Sequence, residues 1–380
     1  MRPFVLTRSI RQRSAGRSAL ILVLAIASML TIALFALLAN ASFLAMTACA
    51  QPAIERFVLP GQRIEICDLV GAVRIVPGTG ARAEVIVTRG GRDAGRLRIE
   101  QDEQGDRSRL SVVFPDRRVV YPQLHGFGRS TIVVAENGCF PGGRGFVLGN
   151  RRVTITGGGV GTQAWADLEV RLPCGLQTTL HLGVGEVAAR DVDGDLNIDV
   201  VSASVEAERT AGSLIVDTGS GSVTLRGNRG DISVDTGSGR VELSDLSGSR
   251  LKVDTGSGGI AGRNIQAEDL LLGTGSGRVG LDDVRSGSIS IDTGSGGVHV
   301  GLLSAPSSLL VDTGSGGVTI MGPADLGARV ELETGSGSIQ SDYAMTIANK
   351  DHGYIRGTIG DGRGRIKVDT GSGGVSLRQR

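Results

Sequence analysis

The tetrapeptide Thr-Gly-Ser-Gly occurs eight times in this chain, starting at Thr218, Thr236, Thr255, Thr274, Thr293, Thr313, Thr334 and Thr370. Successive starts lie 18, 19, 19, 19, 20, 21 and 36 residues apart, the last close to two periods. A fixed period of this length predicts a stack of like units in place of a closed globule. Asp217, Asp235, Asp254, Asp292, Asp312 and Asp369 precede six of the copies; Gly273 and Glu333 precede the others. An aliphatic residue stands just before each of these positions, from Val216 to Val368, and another six after it, from Val223 to Val375. The flanks alternate apolar and polar, as in Leu214-Ile215-Val216 and Val223-Thr224-Leu225. That period of two predicts strands with one buried face. Each unit reads as strand, Gly-Ser-Gly turn, strand, second turn.

Units this short cannot bury a core alone, but stacked they bury a continuous aliphatic column. The expected fold is all-β: a β-solenoid of coils about 19 residues long. Composition fits this reading, with 60 glycines and only 8 Phe, 3 Tyr and 1 Trp in 380 residues. Val, Ile and Leu fill identical rungs evenly, whereas glycine is expected to supply positive φ at the turns. Ile198–Val205, Leu180–Val187 and Ile64–Ile75 continue the frame upstream, with Cys67 at the aspartate position. Residues 77–180 are less regular and hold six of the aromatics. Glu84–Thr88, Arg96–Glu100, Arg109–Phe114, Ser130–Val134, Arg152–Thr156 and Asp167–Leu172 are expected strands there, with long loops near 122–128 and 137–150.

Residues 1–50 carry Arg2, Arg8, Arg11, Arg13 and Arg17, no acid, and then an apolar run from Ala19 to Leu38. Twenty such residues suffice for a membrane-spanning helix. Arginines before it and none near its far end place the N-terminus in the cytoplasm. Ala48-Cys49-Ala50 supplies a small-residue cleavage site. Cleaved signal, uncleaved anchor and lipidated Cys49 remain alternatives, and all export the rest of the chain. The expected division is 1–50 targeting segment, 51–180 irregular β-rich part, and 181–380 solenoid. Without the five arginines, 40 basic and 39 acidic residues become 35 and 39, a net of −4. No basic stripe with interleaved aromatics is left for nucleic acid. Beyond Cys49 there are Cys67, Cys139 and Cys174. An oxidising compartment allows one disulfide, expected as Cys139–Cys174, against the alternative of three free thiols.

Asp-Thr-Gly-Ser is also the active-site tetrapeptide of pepsin-like proteases, which need two aspartates sharing a proton across a cleft. Copies recurring every 19 residues should instead stack along one edge, as ordinary turn chemistry. Stacked carboxylates repel. Either neighbouring hydroxyls and amides satisfy them or cations bridge them, and the first reading is preferred. Asp191, Asp193, Asp195 and Asp199 form a second acidic strip, a calcium candidate that lacks calcium-loop glycine spacing and otherwise reads as a solvated face. No histidine and cysteine spacing matches zinc, no nucleophile elbow or phosphate loop occurs, and no cofactor is expected.

Val-Asp-Thr-Gly-Ser-Gly-Ser-Val at 216–223 and its copies, the opening stretch Ile64–Pro77, and the closing Arg356-Gly-Thr-Ile-Gly-Asp-Gly362 resemble a bacterial family of exported repeat proteins named as candidate adhesins, built on a domain of unknown function. The resemblance spans residues 60–380 and implies a non-enzymatic, adhesin-like scaffold of the cell envelope. It supplies no catalytic residues. The partner expected is an envelope or surface polymer, or the protein itself. Two other readings stay open. One is an enzyme acting on envelope polysaccharide with its chemistry in loops 115–150. The other is a filament, growing from an unpaired edge at Val375–Leu377 that Arg378 and Arg380 would blunt.

Overall fold

A computed structural model describes residues 54–124, 128–140 and 151–380. The apolar run Ala19–Leu38, Cys49, His125, Phe127 and Phe146 lie outside the described residues. Within the described residues no helix is long and apolar enough to cross a membrane.

The regular part is a parallel β-solenoid, and its register is that of the repeat. Leu214–Thr218 pairs with Ile232–Thr236, which pairs with the Leu251–Thr255 end of the strand Val241–Thr255. That strand pairs along its length with Ile260–Thr274, and the latter with Val279–Thr293. Alternation decides which side chains go inside. Leu214, Val216, Val223 and Leu225 are buried, as are their counterparts Leu251, Val253, Val241 and Leu243. Upstream, Gly194–Glu208 and Leu176–Arg190 are full coils, and Arg63–Pro77 is another, stacked on Leu176–Arg190. Cys67 stands beside His181, His181 beside Asp199 and Asp199 beside Asp217, so Cys67 does occupy the aspartate column.

The threonine explains why the motif has its form. Thr255, Thr274 and Thr293 face inward and are buried. Each hydroxyl accepts the N–H of the motif's second glycine at 2.9–3.0 Å. Each donates to a glycine carbonyl of the previous coil: Thr255 to Gly239, Thr274 to Gly258 and Thr293 to Gly277. One side chain thus closes its own turn and joins two coils.

Glycine in this turn has a different cause from the one expected. None of the motif glycines has positive φ. A Cβ on Gly258 or Gly277 would collide with the carbonyl oxygen of the glycine one coil below. Close approach between stacked turns therefore requires glycine there. The left-handed conformation falls at the other corner, in the column Asp191, Arg209, Gly227, Asp245, Asn264 and Asp283, with φ from 52° to 66°.

The C-terminal end departs from simple sequence order. Val318–Gly322 leads to Ala328–Thr334, yet Ser308–Thr313 and Ala328–Thr334, the equivalent strands of successive coils in the sequence, are not paired with each other. Gly364–Thr370 lies between them, parallel to both. Val375–Gln379 likewise lies between Val318–Gly322 and Ile339–Ser341. The expected open edge at Val375–Leu377 is therefore an interior strand, paired on both sides. The 36-residue step from Thr334 to Thr370 contains an antiparallel hairpin, Met345–Asp351 and Tyr354–Ile359, which pairs on Ala328–Glu333 and covers the last rung.

The other end is closed by antiparallel strands as well. Arg107–Val113 and Trp165–Leu172 form the rung before Arg63–Pro77. Arg98–Gln104 then pairs on the former, Ala83–Gly90 on the latter, and Ile54–Leu59 on Ala83–Gly90. Arg118–Val120, Arg129–Val134 and Arg151–Thr156 make a small separate sheet. The six strands expected in this part are present; Ile54–Leu59 and Arg118–Val120 were not foreseen. Leu176–Arg190 runs through residue 180, and Ile54–Arg380 forms one compact unit.

Candidate functional site

The outward aspartate column is the most regular chemical feature of the surface. In register order it reads Asp199, Asp217, Asp235, Asp254, Gly273, Asp292, Asp312, Asp369 and Glu333. Rungs of a parallel sheet are about 4.8 Å apart. The motif threonines point to the opposite side of the strand, so their hydroxyls do not satisfy these carboxylates, contrary to the expectation. Asp199 alone among the aspartates of the column is bonded, to His181 Nδ1 at 3.1 Å. Desolvation, with the charges of Asp199 and Asp235, raises the Asp217 carboxyl above its ordinary value. The six Asp-Thr-Gly-Ser aspartates form one file along one face, so no two of them meet across a cleft to share a proton.

The file ends in a covered cluster. Glu65 accepts hydrogen bonds from Arg107 at 2.6 Å and Arg109 at 2.8 Å. Its desolvation raises its pKa, but the two arginines outweigh this and hold it below the usual value. His181 lies between Glu65 and Asp199, with Phe140 edge-on at 5.7 Å. Beneath them Cys67 is bonded to Cys139. The expected Cys139–Cys174 bridge is therefore wrong: Cys174 is free and exposed. Cys67 sits on the buried rung that the 136–140 segment covers, whereas Cys174 lies in an exposed turn. Glu65, Cys67 and Cys139 group their ligand atoms within 4.8 Å, but the two sulfurs are joined to each other and are not thiolates.

Asp68 occupies the column that threonine fills in the regular coils. It is fully buried, and its Oδ1 accepts the N–H of Val70 at 3.3 Å while Oδ2 has no partner. Burial pushes its pKa well up against the Val70 and Leu69 amides, and Asp167 adds to the rise. Asp167 accepts the N–H of Ala72 at 3.0 Å. Nearby, burial with Asp167, Glu186 and Asp68 raises the Tyr121 phenol to about 12. Tyr121 and Trp165 meet edge to face at 5.9 Å, and a cavity of about 330 Å³ lies between Tyr121, Leu124, Gly185 and Glu186.

The calcium candidates are dispersed among separate partners. Asp191 is held by Arg209 through two hydrogen bonds, at 2.6 and 3.0 Å, which lower its pKa. Asp195 accepts the Ser213 N–H at 3.0 Å, Asp199 pairs with His181, and Asp193 is exposed beside Ala211. Among the described residues these four are not gathered into one ligand set.

Fold and ladder together define a stacked-coil β-solenoid protein. Residues 167–378 match the Toastrack DUF4097 family, and the chain belongs to it. No curated protein matches the chain. Two solved structures align over 87% of the chain: a candidate cell adhesion protein from Clostridium sporogenes, at 11% identity, TM-score 0.22 and 100% coverage of that chain, and a candidate adhesin from Parabacteroides merdae, at 10% identity, TM-score 0.24 and 97% coverage.

Proposed function

We propose that the chain is a non-enzymatic scaffold exported to the cell envelope, binding an envelope or surface polymer through repeated contacts on a rigid rod. One observation carries this reading. The coils satisfy their own turns through threonine, yet present a file of carboxylates at rung spacing, interrupted at Gly273 and ended by Glu333, without converging into an acid–base pair. Repetition at fixed spacing serves avidity with a repeating partner. The same negative face resists lateral association of rods, since like charges meet. The basic, apolar N-terminal segment supports export and either cleavage or anchoring.

The test is incubation of the full chain, in mild detergent, with isolated envelope glycans. Retention without new reducing ends supports the scaffold. Turnover of the glycan would replace it with the enzyme reading.

A further inference from the structure

We infer that the hairpin-capped C-terminal end carries a binding groove for an anionic polysaccharide, a sugar chain bearing carboxylates. The inference rests on the scaffold reading and adds a place and a ligand class to it. The groove encloses about 610 Å³ and is lined by Arg329, Arg356, Arg365, Tyr354, Asn349 and Thr358, together with Glu331.

Register explains how the groove forms. Arg365 on the inserted coil stands directly beside Arg329 on the last rung. Arg329 stands beside Thr358, and Glu331 beside Arg356, on the hairpin strand Tyr354–Ile359. Arg356 in turn faces Asn349 on the hairpin strand Met345–Asp351. Three separate strands thus place three guanidinium groups around one depression. Arg365 reaches it only because the C-terminal coil is inserted between earlier ones.

The charges point to the ligand. Like charges directly across a sheet are destabilising. Nearby arginines are neutralised: Arg363 pairs with Asp361 and Arg378 with Asp342, at 3.0 and 2.8 Å. Arg329, Arg356 and Arg365 have no such partner among the described residues, and all three are exposed. An anion between them would relieve the repulsion and could accept forked guanidinium hydrogen bonds. Glu331 opposes an anion, which confines the favourable position to the Arg329–Arg365 side. Asn349 and Thr358 offer hydrogen-bonding groups to sugar hydroxyls. Tyr354, half-buried, lines both this groove and a second cavity of about 590 Å³ that includes Lys350, Asp351 and His352. A ring beside a chain-sized groove suits a sugar face, and the adjoining cavity, where Asp351 offsets Lys350, offers polar groups to its next residue. The acidic file repels an anionic chain, so a ligand of this charge is confined to the end, and the repeated contacts along the file are left to polymers without it.

The experiment uses the full chain and measures binding to polygalacturonate, dextran and inorganic polyphosphate by calorimetry at low and physiological salt. The expected result is salt-sensitive binding of polygalacturonate, none of dextran, and a loss of about tenfold or more in the variant Arg329→Gln/Arg356→Gln/Arg365→Gln. The variant Arg240→Gln/Arg278→Gln/Arg285→Gln removes equal charge elsewhere and should bind as wild type. Arg356→Gln alone, on the hairpin, checks the effect with the Arg329–Arg365 rung intact. Absence of polygalacturonate binding, equal loss in both triple variants, or equal binding of dextran overturns the inference. Preference for polyphosphate overturns the carboxylate assignment. Retention on envelope glycans with any of these results would leave the scaffold reading standing without this site.

Discussion

Thr334 and Thr370 lie side by side on adjacent rungs although 36 residues separate them, and Thr370 is flanked on its other side by Thr313. The Thr370 hydroxyl donates to the Gly316 carbonyl and the Thr334 hydroxyl to the Gly373 carbonyl, so the C-terminal coil is bonded to coils on both faces. Removing residues 362–380 would expose four strand edges at once, those of Ser308–Thr313, Ala328–Thr334, Val318–Gly322 and Ile339–Ser341. The expected outcome is loss of hydrogen-exchange protection in Ala328–Ile359, with protection kept in residues 196–293, because solenoid stability is a sum over neighbouring coils. Unchanged protection of Ala328–Thr334 would show that the coil is not needed to hold the cap.

The second glycine of each motif is required by contact with the coil below. Gly277→Ala should destabilise by roughly 1–3 kcal/mol, since its Cβ meets the Gly258 carbonyl and the backbone must shift. Gly280→Ala, three residues on, meets nothing within 4 Å and should be neutral or gain about 0.4–1 kcal/mol. Denaturant midpoints of the two variants check this. Equal effects would show that the turn glycines serve conformation and not stacking.

The Cys67–Cys139 bond closes a loop of 72 residues, which ties the 136–140 segment to the coil Arg63–Pro77. In the chain-entropy account a loop of that length is worth about 4 kcal/mol. Cys139→Ser should therefore lower the melting temperature clearly, whereas Cys174→Ser should leave it unchanged. A reduced protein that melts like the oxidised one would contradict the assignment.

The repeat was legible because Val216, Asp217 and Thr218 recur with their burial pattern intact, and period two leaves one choice of face. Cys67 in the aspartate column followed from spacing alone. The coil insertion was not legible: a 36-residue step looks like two periods, and only pairing shows that a hairpin fills it. The disulfide depends on a tertiary contact between the coil Arg63–Pro77 and the 136–140 segment, which no local spacing records. The left-handed column did have a signal, since Asp191, Asp245, Asn264 and Asp283 favour that conformation and fall at the repeat period. The arginine groove had none, because Arg365 meets Arg329 only through the inserted coil and Arg356 joins them through the hairpin.

Asp68 gives the fold a pH dependence of definite sign. Below about pH 4 it is protonated whether folded or unfolded and contributes no slope. Above that, the unfolded chain releases the proton while burial holds it in the native state, so stability falls as pH rises toward the raised native pKa. Past that value a constant penalty remains. Asp68→Asn should match wild type at pH 3.5 and become progressively more stable than it toward neutrality. Parallel stability curves for the two proteins would show that Asp68 ionises freely in the fold.

Thr210 and Asn228 interrupt an otherwise apolar inward column at the second corner, between Val192 and Leu246. Its Nδ2 donates to the Thr210 hydroxyl at 2.7 Å, but its Oδ1 is buried without a partner. An orphaned buried acceptor costs about 1–3 kcal/mol, whereas replacing both members of a polar pair by apolar groups is close to neutral or stabilising. Asn228→Leu alone leaves the Thr210 hydroxyl without that donor, so its gain should be small. Thr210→Val/Asn228→Leu removes both demands and extends the ladder of Val192 and Leu246, and should raise stability by about 1–2 kcal/mol. A double variant less stable than wild type would mean that the polar pair fixes coil register and that the aliphatic column cannot do so unaided at this corner.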